Sequence, residues 1–187
     1  MAKATDNLLL HGVSGTLGGQ FVIRQHMGKS IICKRPRKFT GGPTEGLGNV
    51  REKFQMSSVY ARSMKNDPDV YAAYKASARN GQSAYNVAMA DCFNAPEIRE
   101  IDTDAYTGKA GDKIRIRAVD DFLVKDVHLT MFSPDGSLLE EGAATANGNG
   151  FDWYFSAKKV NAALSGTRIR IQVFDLAGNV AEQENVL

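Results

Sequence analysis

Gly28, Lys29 and Ser30 are the first residues whose types suggest chemistry, because Gly-Lys-Ser ends a phosphate-binding loop. That loop needs another glycine at position 23, where the chain has Ile23. The glycines between 12 and 19 also lack the spacing of a dinucleotide-binding loop. We therefore interpret Gly28 as part of a hairpin turn and expect no nucleotide site.

The other reactive residue types form no recognisable active site. His11, His26 and His128 have no paired spacing of the kind that binds zinc, and no Gly-x-Ser-x-Gly element occurs. Cys33 and Cys92 lie far apart, so two buried or semi-buried thiols are expected, with a single disulfide as the alternative. The sequence thus predicts a non-enzymatic protein without a cofactor, a metal centre or catalytic residues.

Carboxylates leave one metal hypothesis open. Closely spaced pairs occur at Asp67 and Asp69, Asp102 and Asp104, and Asp120 and Asp121. The first pair begins a helix and the others flank strands, so capping, turn and solvent roles are expected. The alternative is that Asp120, Asp121 and Asp175 converge at one edge of a sheet and bind Ca²⁺ weakly.

A basic segment, Lys34-Arg35-Pro36-Arg37-Lys38, could contact phosphates or an acidic protein surface. Single-strand binding platforms interleave cations with aromatic rings, and here only Phe39 follows. Nucleic acid is therefore the alternative partner, and an acidic surface on a neighbouring copy is the favoured one.

Charge is distributed unevenly along the 187 residues, although the net charge is only +2. Residues 1–43 carry seven basic groups and one acidic group, whereas residues 97–187 carry ten basic and fifteen acidic groups. Identical subunits with this polarity attract each other head to tail. The alternative is a basic hairpin that is simply solvated.

Residues 1–43 form the first of three segments and predict a glycine-rich β-hairpin arm. Its strands are Gln20–His26 and Lys29–Lys34, joined by Met27-Gly28. An isolated hairpin is marginal in water, so the arm must dock on its own chain or on a neighbour by strand addition. The buried face is predicted to be either Phe21, Ile23, Ile31 and Cys33, or Val22 and Ile32. The predicted assembly contact comprises Phe21, Val22, Ile23, Ile31, Ile32, Lys34, Arg35, Arg37 and Lys38.

Residues 44–96 form a helical middle segment of three helices. Apolar residues at helical spacing run from Val50 to Met64 and indicate an amphipathic helix. Asp67-Pro68 is a helix start, and Asn80-Gly81 is the expected end of that helix. Ser83 is expected to cap a third helix over Ala84–Phe93.

Residues 97–187 alternate apolar and polar positions and predict an antiparallel β-sandwich. The predicted strands are Lys113–Val119, Asp126–Phe132, Ser137–Glu141, Phe151–Ser156, Thr167–Phe174 and Asn179–Asn185. Trp153, the single tryptophan, is expected in the sandwich core.

Residues 98–187 resemble a bacterial immunoglobulin-like domain. The resemblance is carried by Tyr106–Asp112, Ala118–Asp121, Val124–Val127, Pro134–Gly136 and Val173–Asn179. It implies a sandwich that acts as a spacer, an adhesion module or an assembly contact. The earlier segments faintly resemble uncharacterised bacterial and phage proteins that open with a Gly-rich hairpin and a basic, Pro-containing tail.

Taken together, the sequence predicts an α+β chain with a β-hairpin arm, a three-helix segment and an immunoglobulin-like sandwich. No signal peptide or membrane span is expected, so the predicted location is cytoplasmic or in a virion or similar particle. The predicted function is a structural subunit that forms a homo-oligomer or polymer in a phage, a phage-tail-like particle or a filament. A nucleic-acid-binding protein, or a glycan- or ligand-binding module using Trp153 or Tyr154, is the alternative.

Overall fold

The computed structural model describes residues 2–4, 10, 12–26, 28–38, 40–42, 44–79 and 81–187. The chain divides into two compact units. One comprises Met1–Asn49 with Arg79–Gly81, and the other comprises Val50–Ala78 with Gln82–Leu187. The predicted helical and all-β segments therefore belong largely to one unit. Met27 of the predicted turn, Asn80 of the predicted helix end, His11 and Phe39 lie outside the described residues.

The N-terminal unit contains the predicted hairpin inside a four-stranded antiparallel sheet. Its strands are β1 (Ala2–Ala4), β2 (Gly15–Leu17), β3 (Phe21–His26) and β4 (Lys29–Lys34), in the order β1-β4-β3-β2. Both hairpin strands pair with further strands of their own chain, which is one of the two docking possibilities that the sequence left open. Gly18 and Gly19 both have positive φ, and this turn folds β2 back along β3.

The register of the hairpin corrects both predicted groupings of its faces. It pairs Phe21 with Lys34, Val22 with Cys33, Ile23 with Ile32, and Arg24 with Ile31. Directly opposed residues share a face, so Ile23 lies with Ile32, whereas Ile31 lies on the other face with Val22 and Cys33. The reason is the two-residue turn, which pairs odd positions of β3 with even positions of β4. Ile23 and Ile31 are both buried, one on each face.

Three helices follow: α1 (Glu45–Ser63), α2 (Pro68–Ser77) and α3 (Ala84–Phe93), with a short 3₁₀ turn at Met64–Asn66. Both predicted caps are confirmed. The Asp67 carboxylate accepts hydrogen bonds from two backbone N–H groups of α2, and the Ser83 hydroxyl accepts one from the first turn of α3. Helix α2 ends at Ser77, earlier than expected.

The long helix α1 turns only part of its apolar surface inward. Ser57 and Ala61 are its buried residues. The predicted stripe is mostly exposed: Val50, Phe54, Met56 and Val59 are 53%, 55%, 64% and 60% exposed. Ala61, Tyr60 and Met64 pack in the cluster of helical residues, while the large apolar side chains nearer the start of the helix remain at the surface.

Residues 97–187 form two four-stranded antiparallel sheets. Their strands are β5 (Glu97–Asp102), β6 (Lys113–Val119), β7 (Val124–Phe132), β8 (Leu138–Ala143), β9 (Thr145–Ala146), β10 (Asp152–Ser156), β11 (Arg168–Asp175) and β12 (Val180–Val186). The sheet orders are β5-β6-β10-β9 and β12-β11-β7-β8. The six predicted strands are present, and β5 and β9 are additional. Strand β5 escaped prediction because a bulge between Ile98 and Glu100 breaks its alternation.

Side chains of both sheets share one core, as expected for a β-sandwich. Its fully buried members include Ile114, Ile116, Leu129, Ile169 and Ile171. Trp153 is only half-buried at the margin of this core, so its predicted central position is wrong. Phe155 from the same strand is buried instead.

A second apolar cluster joins the helices to the two-sheet region. It contains Tyr74, Val87 and Ala88, with Phe122 and Leu176 packed against it from the sheet side. Within the described residues, no helix has the length and apolarity needed to cross a bilayer. Cys33 and Cys92 are both free thiols.

Candidate functional site

The basic segment ends the hairpin and surrounds an exposed aromatic ring. A shallow concavity is lined by Gly19, Gln20, Phe21, Lys34, Arg35, Pro36 and Arg37. The Arg35 N–H donates to the Gln20 carbonyl at 2.7 Å, which holds the start of the basic segment against the β2–β3 turn. Phe21 is 46% exposed and lies opposite Lys34 in the ladder. Strand pairing thus places one apolar ring among three cations.

The structure divides the predicted contact residues into two groups. Phe21, Lys34, Arg35 and Arg37 come together around the concavity, and Lys38 is exposed but does not line it. In contrast, Ile23 and Ile31 are buried, while Val22 and Ile32 are half-buried. These four apolar residues therefore pack within the N-terminal unit. Phe21 is the apolar residue of the predicted contact that remains exposed.

A second site is a cluster of three carboxylates, Asp91, Asp120 and Asp175, with oxygens within 4.8 Å of one another. Asp91 lies near the end of α3, Asp120 follows β6, and Asp175 is the last residue of β11. Asp91 and Asp175 are buried, whereas Asp120 is half-buried. The cluster thus forms where the helices meet the ends of two strands from different sheets.

Hydrogen bonds hold one or both oxygens of each carboxylate. The Tyr74 hydroxyl donates to Asp91 Oδ2 at 2.5 Å and is itself 2.8 Å from the Tyr60 hydroxyl. Asp120 Oδ2 accepts from two backbone N–H groups, those of residues 122 and 123, at 3.1 and 3.0 Å. Asp175 accepts from the Asn179 N–H at 2.7 Å and from the Asn179 side-chain amide at 2.6 Å.

Two oxygens of the cluster accept no hydrogen bond from a donor group, although the Asp91 and Asp120 side chains lie close enough to share a proton when Asp91 is protonated. Asp91 Oδ1 and Asp120 Oδ1 are buried and make no hydrogen bond within the described part of the chain. None of the ion pairs among the described residues includes Asp91, Asp120 or Asp175. The cluster therefore concentrates negative charge away from water without a basic side chain to balance it.

This environment changes the acidity of the groups in it. Burial is the main cause that raises the pKa of Asp91 to about 7, and the nearby Asp120 and Asp175 carboxylates raise it further. The hydrogen bond from Tyr74 acts in the opposite direction. Burial also raises the pKa of Asp175 and that of the Tyr74 hydroxyl. Near neutral pH, the metal-free cluster is therefore close to taking up a proton.

Asp120, Asp121 and Asp175 were expected to converge, but in the structure Asp91 takes the place of Asp121. Asp120 and Asp175 do meet, but Asp121 is exposed and accepts a hydrogen bond from the Asn94 side chain at 2.6 Å. Asp91 is the third member. One signal could have revealed it, because Asp91 is the single charged residue in the apolar helix Ala84–Phe93.

Asn179 also connects the cluster to the end of α3. Its side-chain amide lies within hydrogen-bond distance of the backbone carbonyls of Asp91, Cys92 and Asn94, at 3.1, 3.3 and 3.3 Å. The β11–β12 turn therefore holds both a carboxylate and the helix that supplies another. This double role fixes the relative positions of Asp91 and Asp175.

The remaining candidates have structural roles. Asp102 forms an ion pair with Arg115 at 3.0 Å, and Asp67 caps α2. Tyr154 lines a shallow concavity on the β6–β10 side, whereas Trp153 is not among its lining residues. The two aromatic residues proposed for a glycan site are thus separated by the alternation of their strand.

Comparison with known proteins gives weak structural likenesses. The CopC protein of Methylosinus trichosporium OB3b is 15% identical over 48% of this chain and 87% of its own, with a TM-score of 0.36. An engineered protein is 14% identical over 58% of this chain and 29% of its own, with a TM-score of 0.37. Scores this low support no inference about fold or activity. No family model and no curated protein matches the sequence.

Proposed function

We propose that this chain is a non-enzymatic structural subunit that self-assembles through its N-terminal sheet. The observation that carries the proposal is the exposed Phe21 ring among Lys34, Arg35 and Arg37 at the end of the hairpin. Aromatic and arginine side chains are enriched at protein interfaces, and the neighbouring cations would favour an acidic partner surface. A phage particle, a phage-tail-like machine or a filament could each use such a subunit.

Incomplete strand pairing supports assembly by strand addition. Strand β2 pairs with Phe21–Ile23 but not with residues 24–26 of β3, and β1 pairs with Ser30–Ile32 but not with residues 33–34 of β4. Among the described residues each outer strand covers only part of its neighbour, so a partner strand would add beside the rest of β3 or β4 or outside the short strands β1 and β2. The self-pairing of the sheet means that a partner extends it and is not needed to complete a bare hairpin.

In this proposal, the opposite charges of the two ends of the chain determine how neighbouring copies are oriented. The basic segment lies in a stretch with seven basic groups and one acidic group, and residues 97–187 carry an excess of five acidic groups. Contact between the basic end of one copy and the acidic region of the next would repeat indefinitely, as heterologous interfaces do.

We further propose that residues 97–187 have immunoglobulin-like topology and act as the spacer of the subunit. Lettering β5–β12 in chain order as A, B, C, C′, D, E, F and G gives the sheet orders A-B-E-D and G-F-C-C′. Those orders match the two sheets of immunoglobulin-like sandwiches. Such folds serve many functions, so the topology supports a structural role without specifying one.

The mass of the full chain in solution tests the assembly proposal. Light scattering is expected to find particles well above 20.3 kDa, and reversing Lys34, Arg35 and Arg37 to glutamate should dissociate them. Reversing Lys65, Lys75 and Lys125, which are also exposed, makes the same change in net charge and should not. A 20.3 kDa monomer at high concentration, or equal effects of the two triple variants, would contradict the proposal.

Nucleic-acid binding is the second candidate function. Its support is that Lys34, Arg35, Arg37 and Lys38 are exposed and that none of them forms an ion pair with a described residue. The logarithm of the binding constant for a DNA or RNA duplex should then fall linearly with the logarithm of the salt concentration. The expected slope is about −0.9 per phosphate contacted. The triple reversal at 34, 35 and 37 should flatten that slope. Salt-independent binding would contradict this function.

A further inference from the structure

We propose that Asp91, Asp120 and Asp175 form a binding site for a divalent cation of the calcium class. The ion would link the end of α3 to the ends of β6 and β11. This inference is independent of the proposed assembly, because none of the three residues belongs to the N-terminal unit.

The spacing of the carboxylates fits such an ion. Their oxygens lie within 4.8 Å of one another. Ca²⁺ binds oxygen at about 2.3–2.6 Å, so oxygens on opposite sides of one ion lie up to about 5 Å apart. Three carboxylates this close together can therefore bind one such ion between them.

The unpartnered oxygens point to a missing ligand. Asp91 is 0% exposed, and its Oδ1 has no partner within the described residues, although its Oδ2 is held by Tyr74. A buried carboxylate oxygen without a donor carries a large desolvation cost. Asp120 Oδ1 is in the same situation. A cation between these oxygens would remove both costs at once.

Hydrogen bonds already orient the proposed ligands. Tyr74 holds Asp91, and Asn179 holds Asp175 while also contacting the α3 carbonyls. Metal sites commonly fix their ligands through such outer partners. Asp120 is half-buried, so it is the most accessible residue of the cluster. Only oxygen ligands are present in the cluster, which selects a hard cation over zinc or copper.

Calcium titration of the metal-free full chain tests the site. Isothermal calorimetry and thermal unfolding with and without chelator should show one bound Ca²⁺ and a higher unfolding temperature when it binds. Terbium, which replaces Ca²⁺ and is sensitised by tyrosine, should luminesce through Tyr74. Asp91→Asn and Asp120→Asn should each weaken calcium binding at least about tenfold.

Asp121→Asn is the matched control, because it removes the same charge from the residue next to Asp120 and outside the cluster. It should retain binding. If Asp91→Asn does not fold, the half-buried Asp120→Asn and the terbium signal of the unaltered chain still decide the question. Absence of Ca²⁺, Mg²⁺ and Mn²⁺ binding at about 10 mM, well above typical weak calcium sites, would overturn the proposal. Equal binding by Asp91→Asn and Asp121→Asn would also overturn it.

Discussion

Replacing Asp91 with asparagine should remove the part of the pH dependence of stability that this carboxyl group contributes. In the folded, metal-free chain the pKa of Asp91 is raised from 3.8 to about 7, chiefly by burial. A raised pKa means that the folded state binds the proton more tightly than the unfolded state. The resulting stability is complete below pH 3.8 and is lost as the pH rises through about 7.

The magnitude follows from these two values. Each pH unit between the two pKa values changes the free energy of unfolding by about 1.4 kcal/mol, and the effect flattens near each of them. As the pH rises from 5 to 8, ionisation of Asp91 in the folded chain should therefore lower the free energy of unfolding by about 2–3 kcal/mol. Asp175, whose pKa is also raised by burial, acts in the same direction. The lowered pKa values of Asp112 and Asp152 act at lower pH, so they do not oppose this change.

Asparagine at position 91 resembles the protonated carboxyl group. Its carbonyl oxygen can accept the bond from Tyr74, and its amide can donate toward the unpartnered Asp120 Oδ1. Asp91→Asn should thus match the unaltered chain only below pH 3.8, and its advantage in stability should grow by about 2–3 kcal/mol between pH 5 and pH 8.

Urea unfolding in the presence of chelator, followed by circular dichroism from pH 5 to pH 8, measures the difference. Asp126→Asn is the control, because Asp126 is exposed on β7 and lies outside the cluster. Its stability should follow that of the unaltered chain. Parallel curves for the unaltered chain and Asp91→Asn would refute the argument, since the difference between them isolates this one carboxyl group.

Three further substitutions test the fold. Gly108→Ala should destabilise the chain by at least about 1–3 kcal/mol more than Gly111→Ala. Both glycines have positive φ, but only at Gly108 would an added Cβ lie 2.5 Å from a backbone oxygen. The midpoints of urea unfolding would measure the difference between the two variants. Asp67→Ala should cost about 1 kcal/mol by removing the α2 cap, and the same change at Asp69 should cost less. Ile171→Ala should cost about 2–5 kcal/mol in denaturant unfolding, because Ile171 is fully buried in the shared core.

Local signals were sufficient for most helices and strands. Strand β6 and helix α3 begin and end where their patterns predicted, and Asp67 and Ser83 cap their helices. These features depend on residues within a few positions of each other, namely alternation, helical spacing and cap chemistry. Such local signals did not reveal β5, which is bulged, or β1 and β2, which have three residues each. None of these three strands completes an alternating pattern.

Faces and neighbours needed the assembled structure. Alternation along β3 and β4 could not pair Ile23 with Ile32, because that pairing depends on the parity of the turn. Similarly, the apolar residues Val50 and Phe54 of α1 predicted a packed face, yet both are exposed, and the contact is made by Ala61 and by residues near the end of the helix. Which side of an element is buried depends on the surface that meets it.

The basic segment and the carboxylate cluster show the same division. Lys34–Lys38 is contiguous, so its charge was evident from the sequence, and folding added only the neighbouring Phe21. The cluster unites Asp91, Asp120 and Asp175 from three separate elements. Local residue patterns thus specify most of the elements, and the order of residues specifies their charges. Tertiary packing decided which carboxylates share one buried space, because desolvation and close approach arise only when distant segments meet.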